Sequence, residues 1–136
     1  MSESTDVLVV GGGLQGCAAA WALTGRGATG VTIVERATVG SGGTGKSSGV
    51  VRCHYGVASL AAMATRALDV FENAVDLLGD DIGFHQTSYI VGVDPENVEA
   101  LHASVAGQRA VGVRTEDIDP TEVQKLWPVA DLCCRA

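Results

Sequence analysis

Apolar residues along this chain fall into short runs and helical stripes separated by glycine, and the pattern predicts its elements in order. Asp6 to Val10 is a compact apolar run suited to a buried parallel strand. A helical stretch follows, in which Ala20 and Leu23 place small and apolar side chains against the sheet, and Gly25 and Gly27 end it. Val31 to Val34 forms a second strand, closed by Glu35. From Val39 to Gly49 the apolar pattern stops in a glycine- and serine-rich loop, the kind that lets backbone approach a ligand. Leu60, Ala64, Leu68, Phe71, Val75 and Leu78 recur at spacings of 4, 4, 3, 4 and 3, which predicts an amphipathic helix over 59–78 stopped at Gly79. Phe84 to Val93, centred on Tyr89, Ile90 and Val91, reads as a strand, with one candidate antiparallel partner near Val111 to Thr115. Asp94-Pro95 and Asp119-Pro120 each set an N-cap before a proline at the first helical position. The first begins a helix through Val98, Leu101 and Val105; the second begins a short helix ending near Trp127-Pro128.

Composition narrows the class. At 136 residues, 46% hydrophobic and with 18 glycines, the chain reads as a folded α/β protein rather than a disordered one. No apolar run approaches the roughly 20 residues of a membrane span, and Met1 to Thr5 has neither the basic nor the apolar part of a secretory signal. Cys17, Cys53, Cys133 and Cys134 form neither a zinc pattern nor a disulfide framework, so a cytoplasmic protein is expected. Net charge is −7, but unevenly spread: residues 1–66 hold five Lys/Arg against three Asp/Glu, and residues 67–136 hold four against thirteen. Arg36, Lys46 and Arg52 lie in the basic half, where an anionic ligand would need them. The acidic half argues against a nucleic-acid partner.

Chemistry is concentrated in the turn after the first strand. Gly11, Gly13 and Gly16 make G-x-G-x-x-G between a strand and a helix, inside a βαβ unit, with Glu35 standing 19 residues beyond Gly16. The three glycines serve different needs. Gly11 allows the tight turn, Gly13 the close approach of backbone to a pyrophosphate, and Gly16 the packing of helix on strand. The helix N-terminus offers its N–H groups and dipole to the phosphates. A carboxylate at Glu35 can accept the hydroxyls of an adenosine ribose and repels a 2′-phosphate. Gly40, Gly45, Lys46 and Ser47 also satisfy G-x-x-x-x-G-K-[ST]. A phosphate loop of that kind leaves a strand directly and enters a helix, whereas Arg36 to Val39 intervene here and Gly49-Val50-Val51 follows, so the glycine loop is read as continuing the first nucleotide site.

These residues resemble the FAD-dependent oxidoreductases of the D-amino-acid oxidase and sarcosine oxidase group. The resemblance is carried by G-G-G-x-x-G with the Glu35-Arg36 pair, by TGKSSGVVRCHYG from Thr44 to Gly56, and more loosely by GFHQTSYIVGV from Gly83 and DPENVEAL from Asp94. It implies an α/β fold: a Rossmann-like FAD-binding βαβ unit in residues 1–80, then the beginning of an α+β substrate-binding domain in 81–136. Gly11, Gly13, Leu14, Gln15 and Gly16 would hold the FAD pyrophosphate, Glu35 the ribose, and Arg36 the adenine end. Thr44, Lys46, Ser47 and Ser48 would line the path to the isoalloxazine. Arg52 matches an arginine that binds the substrate carboxylate, and Tyr55 would wall the same pocket. Lys46 stands near the place where some members tether FAD through a histidine, so the resemblance implies non-covalent FAD. Gly49 replaces an arginine found beside the flavin in monomeric sarcosine oxidases, which leaves the substrate open within small amino acids and N-methyl amines. His54, His85 and His102 fall in separate segments and form no acid–base pair. The family's remaining flavin contacts and most of its substrate sheet do not fit after Trp127. The sequence is therefore expected to be an N-terminal fragment with an incomplete fold, its resemblance ending at Cys133-Cys134, and to associate with itself or with a missing half or partner subunit. A nucleotide-binding remnant without activity is one alternative. An NAD-dependent dehydrogenase, which leaves the basic glycine loop unexplained, is the other.

Overall fold

A computed structural model describes residues 4–87 and 89–128. These form two compact units, Met1–Val50 and Val51–Ala136.

The first unit is the βαβ element. Strand β1 (Val7–Val10) and strand β2 (Val31–Val34) pair in parallel, with Val7 opposite Val31 and Val10 opposite Val34, and helix α1 (Leu14–Thr24) makes the crossover. Parallel neighbours need such a connection because a tight hairpin cannot reverse the chain twice. Helix α1 stops where the glycines predict, at the C-cap Gly25, and Gly27 takes φ +86°, open to a residue without Cβ. Ala20 is buried, and a Cβ built on Gly16 would lie 3.3 Å from Val9 Cγ1, so α1 covers the Val7/Val9 face of β1. The alternate residues face away from it. Leu8 is 54% exposed and Val10 81%, and Val34 and Val39 are open as well. An uncovered apolar sheet face favours association. Sedimentation velocity over a concentration series should show the isolated chain shifting to larger species as concentration rises; a monomer at every concentration would contradict that expectation.

The second unit is helical. The stripe predicted over 59–78 is two helices, α2 (Ala58–Glu72) and α3 (Ala74–Leu78), broken at Asn73. Asn73 leaves helical geometry, and both its N–H and its side-chain amide donate to the Asp69 carbonyl, a competition for the helical acceptor that short polar side chains are prone to. Gly79, at φ +85°, ends α3 as expected. Pro95–Asn97 forms a single 3₁₀ turn before α4 (Val98–Ala110), and Asp94 makes no side-chain cap, so this start differs from the predicted N-cap. The second start is as predicted. Asp119 accepts from Thr121 N–H at 2.7 Å and Glu122 reaches back to Asp119 N–H, a full capping box for α5 (Pro120–Leu126).

The predicted strand over 84–93 is not formed. Its described residues lie outside any ladder, as do 111–115, the segment expected to pair with it. A strand needs a neighbour to receive its N–H and C=O groups, and an apolar alternation cannot supply one. Val105, Val113 and Val123 are buried here with Ala61 and Ala74, and the Phe71 and Phe84 rings meet tilted at 44° with centroids 5.7 Å apart. Cys133 and Cys134 lie outside the described residues.

Candidate functional site

Helix α1 begins at the glycine turn, and the turn shows why each glycine is required. Gly11 sits at φ +108°, accessible to glycine at no steric cost, and donates to the Val34 carbonyl at 2.8 Å. A Cβ on Gly16 would stand 2.0 Å from the Gly11 carbonyl oxygen, so the helix start packs directly on the turn's backbone. A Cβ on Gly13 would meet Thr44 Oγ1 at 3.1 Å. The first intrahelical bond runs from Cys17 N–H to Gly13 O, which leaves the N–H groups of Gln15 and Gly16 outside the helical ladder, at the positive end of the helix dipole. That is the donor set a pyrophosphate requires.

Thr44 has a role the sequence does not announce. Its hydroxyl oxygen accepts from Leu14 N–H at 2.9 Å, so a residue thirty positions downstream caps α1 in place of the side chain that Gly13 lacks. The loop carrying it is anchored by Gly40 N–H donating to Gly12 O at 3.0 Å and is folded on itself by Gly45 N–H to Gly40 O at 2.7 Å. Lys46, Ser47 and Ser48 are exposed on this loop. No helix begins at Ser47, the next being α2 from Ala58, and β2 ends at Val34, so the G-K-S motif lacks the strand–loop–helix setting of a phosphate loop.

Glu35 leaves the end of β2 and turns back to the glycines. Oε2 accepts from Gly12 N–H at 2.8 Å and Oε1 from Ala37 N–H at 3.0 Å. The Gly12 amide first, and the Ala37 amide next, hold its carboxyl below the ordinary value of 4.5. A carboxylate has about four lone-pair sites, so each oxygen keeps capacity for a ribose hydroxyl. Arg36 is exposed beside it. Because the folded carboxyl is more acidic than the unfolded one, its contribution to stability is complete above pH 4.5 and disappears as pH falls through the lowered value. Thermal unfolding of the wild-type chain and of Glu35→Gln should differ most at neutral pH and converge in acid; a gap independent of pH would contradict the amide contacts.

In the second unit, Arg52 lies beside Tyr55. The guanidinium carbon lies 5.5 Å from the Tyr55 ring centroid, within cation–π range. Tyr89, which the sequence offered only as the centre of a strand, accepts from Arg52 Nη1 at 3.4 Å. The Tyr89 phenol first, and that of Tyr55 next, hold the guanidinium further toward its charged form. Arg52 is exposed and makes no ion pair among the described residues, whereas Arg114 pairs with Glu72. His54 Nδ1 accepts from Gln108 Nε2 at 3.1 Å, and His102 pairs with Asp117 at 3.0 Å, so these histidines have structural partners. No spacing in the sequence would have joined residue 52 to 89 or 54 to 108.

The glycine cradle, the open N–H groups and the carboxylate at the end of β2 fit the ADP half of a flavin dinucleotide. Residues 6–136 match the DAO family, described as FAD dependent oxidoreductase. The chain belongs to that family. FAD is thus the cofactor of the family to which the glycine turn belongs. The match runs through Ala136, beyond the cysteine pair at which the sequence resemblance was expected to end. Sarcosine oxidase subunit beta from Rhodobacter capsulatus is 29% identical over 129 residues, covering 93% of this chain and 31% of that protein. The 4-methylaminobutanoate oxidase (formaldehyde-forming) of Paenarthrobacter nicotinovorans is 32% identical over 126 residues, 90% of this chain and 15% of that one. Among solved structures, L-proline dehydrogenase from P. horikoshii superposes with a TM-score of 0.80 at 27% identity, over 94% of this chain and 34% of that one. The chain therefore spans about a third or less of the length of these relatives. No described helix is long and apolar enough to cross a membrane.

Proposed function

We propose that this chain is the N-terminal part of a cytoplasmic FAD-dependent oxidoreductase acting on the C–N bond of a small amino acid or N-methyl amine. The observation that carries the reading is an exposed arginine with no carboxylate partner among the described residues, in a chain whose βαβ turn fits a flavin dinucleotide. In this reading residues 1–80 belong to a Rossmann-like FAD-binding domain and 81–136 begin the substrate-binding domain. Gln15 and Gly16 donate to the pyrophosphate through backbone, Gly11, Gly13 and Leu14 shape the turn around it, and Thr44 keeps the helix start in place. Glu35 takes the ribose, Arg36 flanks the adenine end, and Lys46, Ser47 and Ser48 run along the cofactor toward its ring. The cofactor is held without a covalent bond. When bound, it supplies the redox chemistry as hydride acceptor, and the protein's part is position and electrostatics. Arg52 contributes the fork that pairs a carboxylate on two N–H groups and so orients the amine carbon. The names of the relatives, a sarcosine oxidase subunit, a methylaminobutanoate oxidase and a proline dehydrogenase, support a substrate bearing both a secondary amine and a carboxylate. They also support assembly with a further subunit or the remaining part of a longer chain. Anaerobic mixing of the FAD-loaded chain with sarcosine, dimethylglycine or proline tests the reading. Bleaching of the visible flavin band supports it, and an oxidised spectrum unchanged by all three refutes it for this chain.

A further inference from the structure

Arginine side chains at a surface are rich in rotamers, so an exposed guanidinium meets a carboxylate better when neighbours hold it. Arg52 has such neighbours. The Tyr55 ring lies within cation–π range of it, and Tyr89 Oη receives Nη1 at 3.4 Å. Arginine has no acceptor, so the phenol oxygen must be the acceptor, and four of the five guanidinium N–H donors remain for a ligand. Tyr89 is itself 56% exposed, and its segment belongs to no strand. What flanks it is His54, whose ring centroid lies 6.4 Å from that of Tyr89. His54 is fixed in turn by Gln108, which is only 2% exposed and donates both to His54 Nδ1 at 3.1 Å and to Ser104 Oγ at 2.9 Å. Among the described residues the Gln108 carboxamide oxygen is buried without a partner, and the amide is held by its two donated bonds. A buried amide on α4 thus connects through an imidazole and a phenol to the exposed guanidinium.

We propose that Tyr89 is a positioning residue for Arg52, seated by the His54–Gln108 pair, and that it presents the guanidinium fork to the carboxylate of the substrate. The inference rests on the reading of Arg52 as the carboxylate-binding residue. Tyr89 acts through Arg52 and needs no contact with the reacting atoms. It narrows the accepted ligands, because a fork held in one orientation favours a carboxylate at a fixed distance from the amine over an amine of the same shape without a carboxylate.

The side-chain Nε–H resonances of the ¹⁵N-arginine-labelled chain test this, with Arg52 assigned by its loss in Arg52→Lys. In the wild type the Arg52 side chain should be more ordered on the fast timescale than that of Arg66, an exposed arginine with no side-chain hydrogen bond among the described residues. Tyr89→Phe keeps the ring and removes the acceptor. It should move Arg52 toward the mobility of Arg66, and Tyr89→Gln, which restores an acceptor, should recover part of the order. Unchanged order in Tyr89→Phe overturns the proposal. Titration with proline, and with pyrrolidine as its counterpart lacking a carboxylate, separates the two layers. If proline moves the Arg52 resonance and pyrrolidine does not, Tyr89→Phe should weaken the proline response by roughly two- to tenfold. If proline moves nothing while Tyr89→Phe still frees Arg52, the positioning role stands and the carboxylate reading fails.

Discussion

Gly16→Ala is expected to abolish cofactor binding and to destabilise the first unit severely. The added methyl would stand 2.0 Å from the Gly11 carbonyl oxygen, and both partners are backbone, so no side chain can swing aside. Overpacking of this kind costs about 1–3 kcal/mol where neighbours can give, and this site lies at or beyond the upper end. Against a total stability of about 5–15 kcal/mol for a domain, that is a large share. The helix start would have to move away from the turn, carrying with it the Gln15 and Gly16 N–H groups that a pyrophosphate needs. Gly42→Ala is the matched control, because its added methyl meets nothing within 4 Å and its φ is not positive. Thermal unfolding and FAD titration of the two variants should separate them plainly. Equal behaviour would mean that the turn is not packed as described.

Arg52→Ala carries the second largest effect, on substrate rather than cofactor. Charge-assisted hydrogen bonds are worth about 1.5–3 kcal/mol, so the concentration of proline needed to half-reduce the FAD-loaded chain should rise roughly ten- to a hundredfold. Arg52→Lys should recover part of this, since a lysine keeps the charge but loses the planar fork. The ratio of proline to pyrrolidine reactivity should collapse in Arg52→Ala, while FAD affinity stays near that of the wild type. A variant that lost both substrates equally would show that Arg52 supports the fold or the cofactor instead of the carboxylate.

The parts of this molecule legible in its sequence are those that depend on near neighbours. Strand β2 begins and ends where its valines do, and α1 stops at Gly25 because glycine signals are local. The capping box at Asp119 is written within four residues. Apart from the local Asp94-Pro95 signal, where no side-chain cap forms, the failures are non-local. Residues 84–93 have the alternation of a strand, but a ladder needs a partner that alternation does not provide. Thr44 reads as one more polar residue in a glycine loop, and only the fold shows it capping α1. Glu35 is recognisable as the acid after β2, yet its bond to Gly12 N–H depends on the turn coming back across the sheet. Tyr89 reaches Arg52 and Gln108 reaches His54 through contacts spanning 37 and 54 positions. Asn73 lies between: the helical stripe runs through it, and the competition of its side chain for the Asp69 carbonyl breaks the helix in two.

The βαβ unit should behave as a working half-site for the ADP part of a flavin dinucleotide, and backbone amide NMR of the chain titrated with FAD tests this residue by residue. Saturable shifts should concentrate at Gly13 to Cys17 and at Glu35 to Ala37, reproduced by ADP and absent in Gly16→Ala. A folded wild-type chain whose amides at those positions stay unmoved, or respond no more than the rest of the chain, would contradict it.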